Sequence, residues 1–214
     1  MSDTRLVLVR HGEAVANVEQ TLLSAKTCRG LSDHGRVQVE RLRDRWIAAP
    51  EFTADAFYSS HVARAIETGK IIHPALGSLE MRIEPGFAEH DPGPDCDGLT
   101  YKEFTDRHGM PDWEGDPYAV FFPGGETIAD FPHRVGIAVQ NVLHEHAGQT
   151  VVIACHGGVV DAVVRTSLRL PQTGMFSIYT KNASITEVVH EKPGKWGLIR
   201  YNDVAHLATL PKEK

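Results

Sequence analysis

The sequence predicts an α/β fold with a mostly parallel central sheet and helices on both of its faces. Short apolar segments typical of buried strands alternate with longer segments whose apolar residues recur at helical spacing. Such alternation favours βαβ units, which place helices over both faces of a sheet. A chain of 214 residues that is 42% hydrophobic can form one domain of this kind with a substantial core.

Six predicted strands are short segments rich in apolar or β-branched residues. In chain order they span residues 5–10, 54–59, 80–84, 150–155, 183–190 and 196–201. The first and fourth are continuous apolar runs, which is typical of strands buried on both faces. The last two flank a turn from Lys192 to Lys195, whose central Pro-Gly pair predicts a hairpin.

Four predicted helices lie between these strands, and each carries apolar residues near helical spacing. In chain order they span residues 33–48, 61–73, 126–146 and 157–169. Ser32 or Asp33 provides an N-terminal cap for the first of them, and Pro50 follows its end. Residues 85–125, rich in Gly, Pro and Asp, interrupt the pattern. We therefore expect a single domain over residues 1–214, with 85–125 as an irregular insertion or lid over the C-terminal strand edge.

Composition disfavours several classes of partner. The formal net charge is −6 without a basic cluster, which argues against a nucleic-acid partner. The apolar run near the N-terminus is too short for a signal sequence or a membrane span, so no membrane partner is expected. The three cysteines are widely spaced and form no C-x-x-C motif, which favours reduced thiols and a cytoplasmic location.

Polar and charged residues follow several of the predicted strands. Arg10-His11-Gly12-Glu13 follows the first strand, and His156-Gly157 follows the fourth. Ser59-Ser60 ends the second strand, and Arg64 comes one turn into the next helix. Because ligands of parallel sheets bind at the carboxyl ends of the strands, these residues are expected to form one site.

These residue types suit phosphoryl transfer. Arginines neutralise the oxygens of a phosphate monoester with a fixed bidentate geometry. A neutral imidazole can attack phosphorus in line and form a phosphohistidine, while a second histidine and helix N-terminal amides bind the equatorial oxygens. A carboxylic acid such as Glu89 can protonate the leaving oxygen. This scheme requires no metal.

The ordered set of motifs resembles the histidine phosphatase superfamily, in its phosphoglycerate-mutase-like branch. The matching blocks extend from residue 5 to about residue 207. They are Arg10-His11-Gly12-Glu13 with Asn17, Ser59-Ser60 through Thr68, Gly124 through Thr127, Val152 through Gly158, Asn182 through Ile185, and Asn202 through Leu207.

The resemblance implies a role for each matching residue. His11 would be the phosphorylated nucleophile, and Glu89 the proton donor. Arg10, Arg64 and His156 would bind the phosphoryl group. Further substrate-binding candidates are Asn17, Gly157, Glu13, His61 and His90. Glu89 and Gly93 fit the family pattern, but the acidic-glycine pair that follows, Asp97-Gly98, lies one residue later than the pattern has it. Asp91, Asp95 and Asp97 therefore remain alternatives for the acid.

The resemblance further implies a histidine acid phosphatase-like phosphoric monoester hydrolase without cofactor or metal. Its partner would be a small-molecule phosphate monoester, and a homodimer is left open.

The family also contains mutases, which need a positively lined insertion. Residues 100–120 carry two basic and five acidic side chains, which favours a phosphatase. The aromatic residues of the insertion would pack a small lid or form an apolar wall for the substrate. Two other classes stay open, namely a weakly catalytic module that binds phosphorylated ligands and a metal-dependent hydrolase.

Overall fold

The computed structural model describes residues 3–172 and 177–210 and contains one six-stranded sheet. The strands are β1 (Thr4–Arg10), β2 (Ala56–Ser59), β3 (Met81–Ile83), β4 (Thr150–Cys155), β5 (Ile185–Lys192) and β6 (Lys195–Asp203). Their order is β3-β2-β4-β1-β5-β6. The first four in this order are parallel, whereas β5 and β6 form an antiparallel hairpin beside β1. The predicted mostly parallel sheet is confirmed, and every strand end lies within two residues of its predicted position.

Six α-helices accompany the sheet within the described residues. They are α1 (Val15–Glu19), α2 (Asp33–Ala48), α3 (Ala63–Ile72), α4 (Tyr101–His108), α5 (Asp130–Glu145) and α6 (Gly157–Leu168). The prediction for α2 is confirmed at both ends. The predicted starts of α3 and α5 were wrong by two and four residues. For α5 the cause is local, because reciprocal hydrogen bonds between Thr127 and Asp130 form a turn just before the helix.

Side chains that alternate along the strands bury two separate layers of core. Leu6 and Leu8 of β1 pack on the face covered by α5 and α6. Val7 and Val9 pack on the opposite face, against α2 and α3. All four are fully buried, as the period of two in a strand requires when helices cover both faces. This packing fixes β1 and β4, and therefore the residues at their carboxyl ends.

The segment 85–125 is less irregular than predicted, because it contains α4. Thr100 and Glu103 form a reciprocal capping box at the start of this helix. Phe104 is the one buried residue of α4, so the helix lacks the apolar periodicity that identifies the longer helices. Together with Cys96 and Phe122 it forms a third, small apolar cluster. The short helix α1 also escaped prediction, since none of its residues is buried.

Among the described residues, no helix combines the length and the apolar character that crossing a membrane requires.

Candidate active site

The carboxyl ends of three parallel strands bring the predicted catalytic residues to one edge of the sheet. Arg10 is paired with Cys155 in the register of β1 and β4. The backbone amide of His11 continues this ladder and donates to the Cys155 carbonyl at 2.9 Å. On the other side of β4, the amide of Ser60 donates to the Ala154 carbonyl at 3.0 Å. Ladder hydrogen bonds therefore fix the backbone on which His11, Ser60 and His156 are carried.

The two histidines lie next to each other, and the Arg64 side chain contacts both rings. Their ring centroids are 5.3 Å apart, and the rings meet edge to face. The Nε of Arg64 lies 3.1 Å from Nε2 of His11 and 3.3 Å from Nδ1 of His156. All three side chains are buried, with exposed fractions of 3% for His11, 6% for Arg64 and 0% for His156. The sequence prediction that two distant histidines and an arginine share one site agrees with this geometry.

The hydrogen bonds of His11 leave one ring nitrogen available for attack. Its Nδ1 lies 2.7 Å from the Gly12 carbonyl, so this nitrogen carries the proton and donates. Nε2 faces the N–H of Arg64 and must therefore hold a lone pair. The Gly12 carbonyl also stabilises positive charge on the ring when Nε2 bonds to an electrophile. His11 is thus oriented as a nucleophile through Nε2.

Burial and positive neighbours keep both rings neutral. Desolvation, followed by the charges of Arg64 and Arg10, lowers the pKa of His11 well below its ordinary value of 6.5. Desolvation lowers the pKa of His156 in the same direction, and Arg64, His11 and Arg10 add to the effect. A neutral imidazole is the form that can attack phosphorus.

Ser60 supports the second histidine. In the sequence it stands out only as part of the Ser59-Ser60 motif. Its Oγ lies 2.9 Å from Nε2 of His156. A hydroxyl can donate or accept, so Ser60 can match either neutral tautomer of this ring. Nδ1 of His156 accepts from Arg64 when Nε2 carries the proton, and in the other tautomer Nδ1 can donate to a phosphoryl oxygen. Only the fold reveals this pairing, because 96 positions separate the two residues.

Arg10 completes the cationic end of the site. Its guanidinium donates to the Thr180 carbonyl, which holds the side chain across the end of the sheet. Gly157, the first residue of α6, lies beside it, since a Cβ built there would be 3.5 Å from Arg10 Nε. The positive end of the α6 dipole and two guanidinium groups thus face the same space.

Glu89 stands opposite this cationic end and is held by main-chain groups. Its Oε2 accepts from the Gly158 amide at 3.2 Å, and its Oε1 from the His90 amide at 3.1 Å. A Cβ on Gly158 would lie 2.3 Å from Oε1 of Glu89, so only glycine leaves room for the carboxylate. The Gly158 amide, in the first turn of α6, therefore holds the candidate acid close to His156, which immediately precedes this helix.

Arg134 of α5 fixes the loop that carries Glu89. Its guanidinium donates to the carbonyls of Gly86 (2.9 Å), Ala88 (3.2 Å) and Glu89 (3.3 Å). The same group forms a bidentate ion pair with Glu126, at 2.6 and 2.8 Å. The sequence contains no signal for this role beyond the presence of a charged residue in an amphipathic helix.

A cavity of about 260 Å³ joins the nucleophile to the candidate acid. Arg10, His11, Asn17, Arg64 and Glu89 all line it. The described residues contain no group of three or more His, Cys, Asp or Glu side chains arranged to hold a metal ion. The cavity is thus lined by two guanidinium groups, an imidazole nucleophile candidate and a carboxyl group.

Two of the five predicted substrate-binding residues line this cavity, and Gly157 lies beside Arg10. Asn17 and His90 line it, and exposed His61 lines an adjoining cavity that also contains Arg64 and Glu89. Glu13 is directed elsewhere, because its carboxylate accepts a hydrogen bond from Ser32 Oγ at 2.5 Å, at the start of α2. Glu13 thus links two segments of the scaffold in this structure, and its predicted contact with substrate stays a prediction.

The alternative acids are less well placed than Glu89. The carboxylate of Asp97 accepts from the amide and hydroxyl of Ser24, at 2.8 and 2.6 Å. Asp95 is exposed and does not line the cavities around Glu89. Asp91 lines only the adjoining cavity. Glu89 is the carboxylate of this group that lines the same cavity as His11.

Comparisons with known proteins place this architecture among related chains. A family model described as histidine phosphatase superfamily (branch 1) matches residues 6–204. Phosphoglycerate mutase-like protein 4 of Arabidopsis thaliana is 29% identical over 208 residues, which cover 94% of this chain and 86% of that protein. The metal-independent phosphoserine phosphatase of the same plant is 29% identical over 216 residues, covering 97% and 84%.

Solved structures agree in fold. The structure named Mycobacterial hydrolase 1 superposes with a TM-score of 0.80 at 24% identity, covering 94% of this chain and 99% of that one. Bacillus stearothermophilus YhfR superposes with a TM-score of 0.77 at 26% identity, covering 95% and 99%. The match therefore extends over almost the whole chain in both sequence and fold.

Proposed function

The chain belongs to the histidine phosphatase superfamily, and we propose that it is a metal-independent phosphoric monoester hydrolase that forms a phosphohistidine at His11. Its substrate is a small phosphorylated metabolite. The observation that carries the proposal is the neutral His11 ring, whose Nε2 lone pair faces the Arg64 guanidinium at 3.1 Å. That arrangement pairs a nucleophile with the cation that neutralises its target.

In the first step, Nε2 of His11 attacks phosphorus while the ester P–O bond breaks on the opposite side. Glu89, in its protonated form, gives its proton to the leaving oxygen, and the alcohol departs. Arg10, Arg64 and His156 bind the equatorial oxygens, where negative charge spreads in the transition state. The Gly12 carbonyl, 2.7 Å from Nδ1, stabilises the cationic phosphoimidazole.

In the second step, the Glu89 carboxylate removes a proton from a water molecule whose oxygen attacks phosphorus. The N–P bond breaks, inorganic phosphate leaves, and His11 returns to its neutral form. Glu89 is thereby protonated again and ready for the next substrate. A carboxylate fixed between the Gly158 and His90 amides is suited to both proton transfers, because it stays within reach of the same oxygen position.

A mutase is the less supported alternative. It must hold a second anionic group while the phosphoryl group returns to another hydroxyl of the substrate. The catalytic cavity takes its guanidinium groups from Arg10 and Arg64, and the segment 100–120 contributes Tyr101 and Trp113 to it. Lys102, a cation of that segment, is paired with Asp106 at 2.6 Å on an exposed helix. Two plant and bacterial relatives are named phosphoserine phosphatases, which further supports hydrolysis.

Three free cysteines within the described residues support the proposed cytoplasmic location. The proposal implies histidine acid phosphatase-like chemistry, with the same phosphoenzyme for every substrate.

The deciding experiment measures phosphate release from a panel of monoesters with EDTA present, together with acid-quenched trapping of a phosphoenzyme. We expect phosphate release that survives the chelator and an acid-labile, base-stable phosphoenzyme. Loss of activity with EDTA would instead indicate a metal-dependent hydrolase. Binding of esters without turnover would indicate a ligand-binding module, and formation of a phosphate-ester isomer without released phosphate would indicate a mutase.

A further inference from the structure

A second cavity, of about 350 Å³, opens next to Glu89 and is not used by the steps above. It shares Glu89, His90 and Trp113 with the catalytic cavity. The phosphoryl-binding residues Arg10, His11, Arg64 and His156 do not line it. We call this second cavity the outer pocket.

In-line attack determines what the outer pocket receives. The leaving oxygen departs opposite His11 Nε2 and must lie beside the acid that protonates it. Glu89 lines both cavities, together with His90 and Trp113. An alcohol that Glu89 protonates can therefore extend past this side chain and into the outer pocket.

One wall of the outer pocket is apolar. Trp113, Ile128, Phe131 and Pro132 contribute to it. Ile128 and Phe131 are mostly buried, whereas Trp113 is 44% exposed and has free surface to cover. This wall suits an alcohol with a hydrocarbon or aromatic body, because burying such a body against it removes apolar surface from water.

The charged groups of the outer pocket are predominantly acidic. Asp161 and Arg165, one turn apart on α6, form an ion pair at 2.7 Å. Burial raises the pKa of the Asp161 carboxyl, while Arg165 favours its ionised form. Arg165 also donates to the Pro171 carbonyl at 2.7 Å, so its guanidinium is occupied. Exposed Glu114 adds a further carboxylate, whereas Glu89 is protonated when the ester binds and adds no charge.

We propose that the outer pocket binds the leaving alcohol of the substrate and selects by charge, accepting uncharged or cationic alcohols with an apolar body and rejecting those with a second anionic group. This inference rests on the proposed hydrolase activity and narrows its substrate class. Asp161 is its main specificity-determining residue, because it neutralises the one guanidinium in the described lining of the pocket. Glu114 at the rim repels anions directly.

The test uses three benzyl phosphates that differ only at the para position, where they carry a methyl, an aminomethyl or a carboxylate group. The methylene group insulates the ester oxygen from these substituents, so the alcohols leave with similar intrinsic ease. We expect kcat/KM for the methyl and aminomethyl esters to exceed that for the carboxylate ester by about tenfold or more, as two charges several ångströms apart at an intermediate dielectric constant predict.

Asp161→Asn should reverse part of this preference. The variant removes the carboxylate that neutralises the charge of Arg165, so the ratio of kcat/KM for the carboxylate ester to that for the aminomethyl ester should rise about tenfold or more. Glu114→Gln, at an exposed position where we expect folding to be unaffected, should shift the same ratio about two- to threefold. Asp106→Asn is the matched control, because Asp106 forms an exposed ion pair with Lys102, also one turn apart, outside the pocket. It should leave the ratio unchanged.

The outcomes separate the two proposals. Equal kcat/KM for the three esters in the unmodified enzyme, or a preference for the carboxylate ester, would overturn charge selection while leaving the hydrolase intact. An unchanged ratio in both Asp161→Asn and Glu114→Gln would remove these residues from the role, and Glu114→Gln alone decides this point if Asp161→Asn fails to fold. Absence of turnover and of phosphoenzyme with every ester would instead refute the hydrolase itself.

Discussion

The phosphoryl-binding end of the site and its leaving-group end are built in different ways. His11 and His156 follow the buried central strands β1 and β4, Arg64 lies in the first turn of α3, and all three side chains are buried. The leaving-group end is assembled mainly from the segment between β3 and α5 and from one face of α6, and Trp113 and Glu114 there are exposed. The proposed chemistry thus rests on buried strand ends and a helix, while the proposed leaving-group end combines helix residues such as Asp161 of α6 with exposed residues of a loop.

The largest expected effect removes the nucleophile. His11→Ala should lower kcat on the order of 10⁵- to 10⁶-fold and abolish the acid-labile phosphoenzyme, since no other described group can form the N–P bond from that position. Steady-state turnover and acid-quenched labelling check both effects. His133→Ala, an exposed histidine of α5, is the control and should retain activity. Phosphoenzyme in His11→Ala would show that another residue is the nucleophile.

Removing the central cation should have the next largest effect. Arg64→Ala should lower kcat/KM about 10²- to 10³-fold, because the guanidinium stabilises charge that develops on the phosphoryl oxygens. Esters with good and poor leaving groups should be slowed alike. Arg41→Ala, at an exposed position of α2, is the matched control. A loss of kcat/KM confined to esters with poor leaving groups would show that Arg64 acts on the leaving oxygen and not on the phosphoryl oxygens.

Glu89→Gln tests the opposite end. Alkyl esters, whose alcohols leave poorly without a proton, should be slowed about 10²-fold or more, whereas p-nitrophenyl phosphate should be slowed much less. The measurement is kcat for both kinds of ester in the same preparation. If both are slowed equally, Glu89 is not the acid, and Asp91 becomes the next residue to substitute.

Substitution of Arg134 tests whether the acid must be held in position as well as be present. Arg134→Gln removes the donors that hold the carbonyls of Gly86, Ala88 and Glu89 and should slow alkyl esters about tenfold through misplacement of Glu89. The effect on p-nitrophenyl phosphate should be smaller. Arg43→Gln, which removes an ion pair with Asp44 on α2, is the control. Equal slowing of both esters would indicate a general loss of structure instead.

The smallest expected effect concerns the protonation state of His11 and His156. At pH 5.5 a histidine with the ordinary pKa of 6.5 is about nine-tenths protonated. Because burial and Arg64 lower the pKa of both rings, His11 and His156 should retain the ring ¹⁵N shifts of neutral imidazole at that pH. The unfolded chain takes up these protons and the folded chain does not, so the free energy of unfolding should decrease as the pH falls below 6.5. Protonated shifts for His11 at pH 5.5 would contradict its neutral state.

The sequence by itself determined the layer architecture and the inner end of the site. Apolar runs and helical periodicity identified β1, β4 and α2 because each pattern reports a local burial requirement. His11 and His156 were predicted together because a parallel sheet places its carboxyl ends at one edge. The family motifs supplied Arg64 and Glu89 as candidates, and the structure brings both to the cavity that contains His11.

Only the tertiary structure decided how these residues are used. The contact of Arg64 with both rings, the support of His156 by Ser60, and the hydrogen bonds of Arg134 to the Glu89 loop all join residues more than 40 positions apart. No periodicity records such contacts, because they depend on where packing places separate elements. The same reason explains Glu13, whose motif position suggested substrate contact while the fold directs its carboxylate to Ser32. The outer pocket, too, exists only where α6 meets a loop that the sequence alone left irregular.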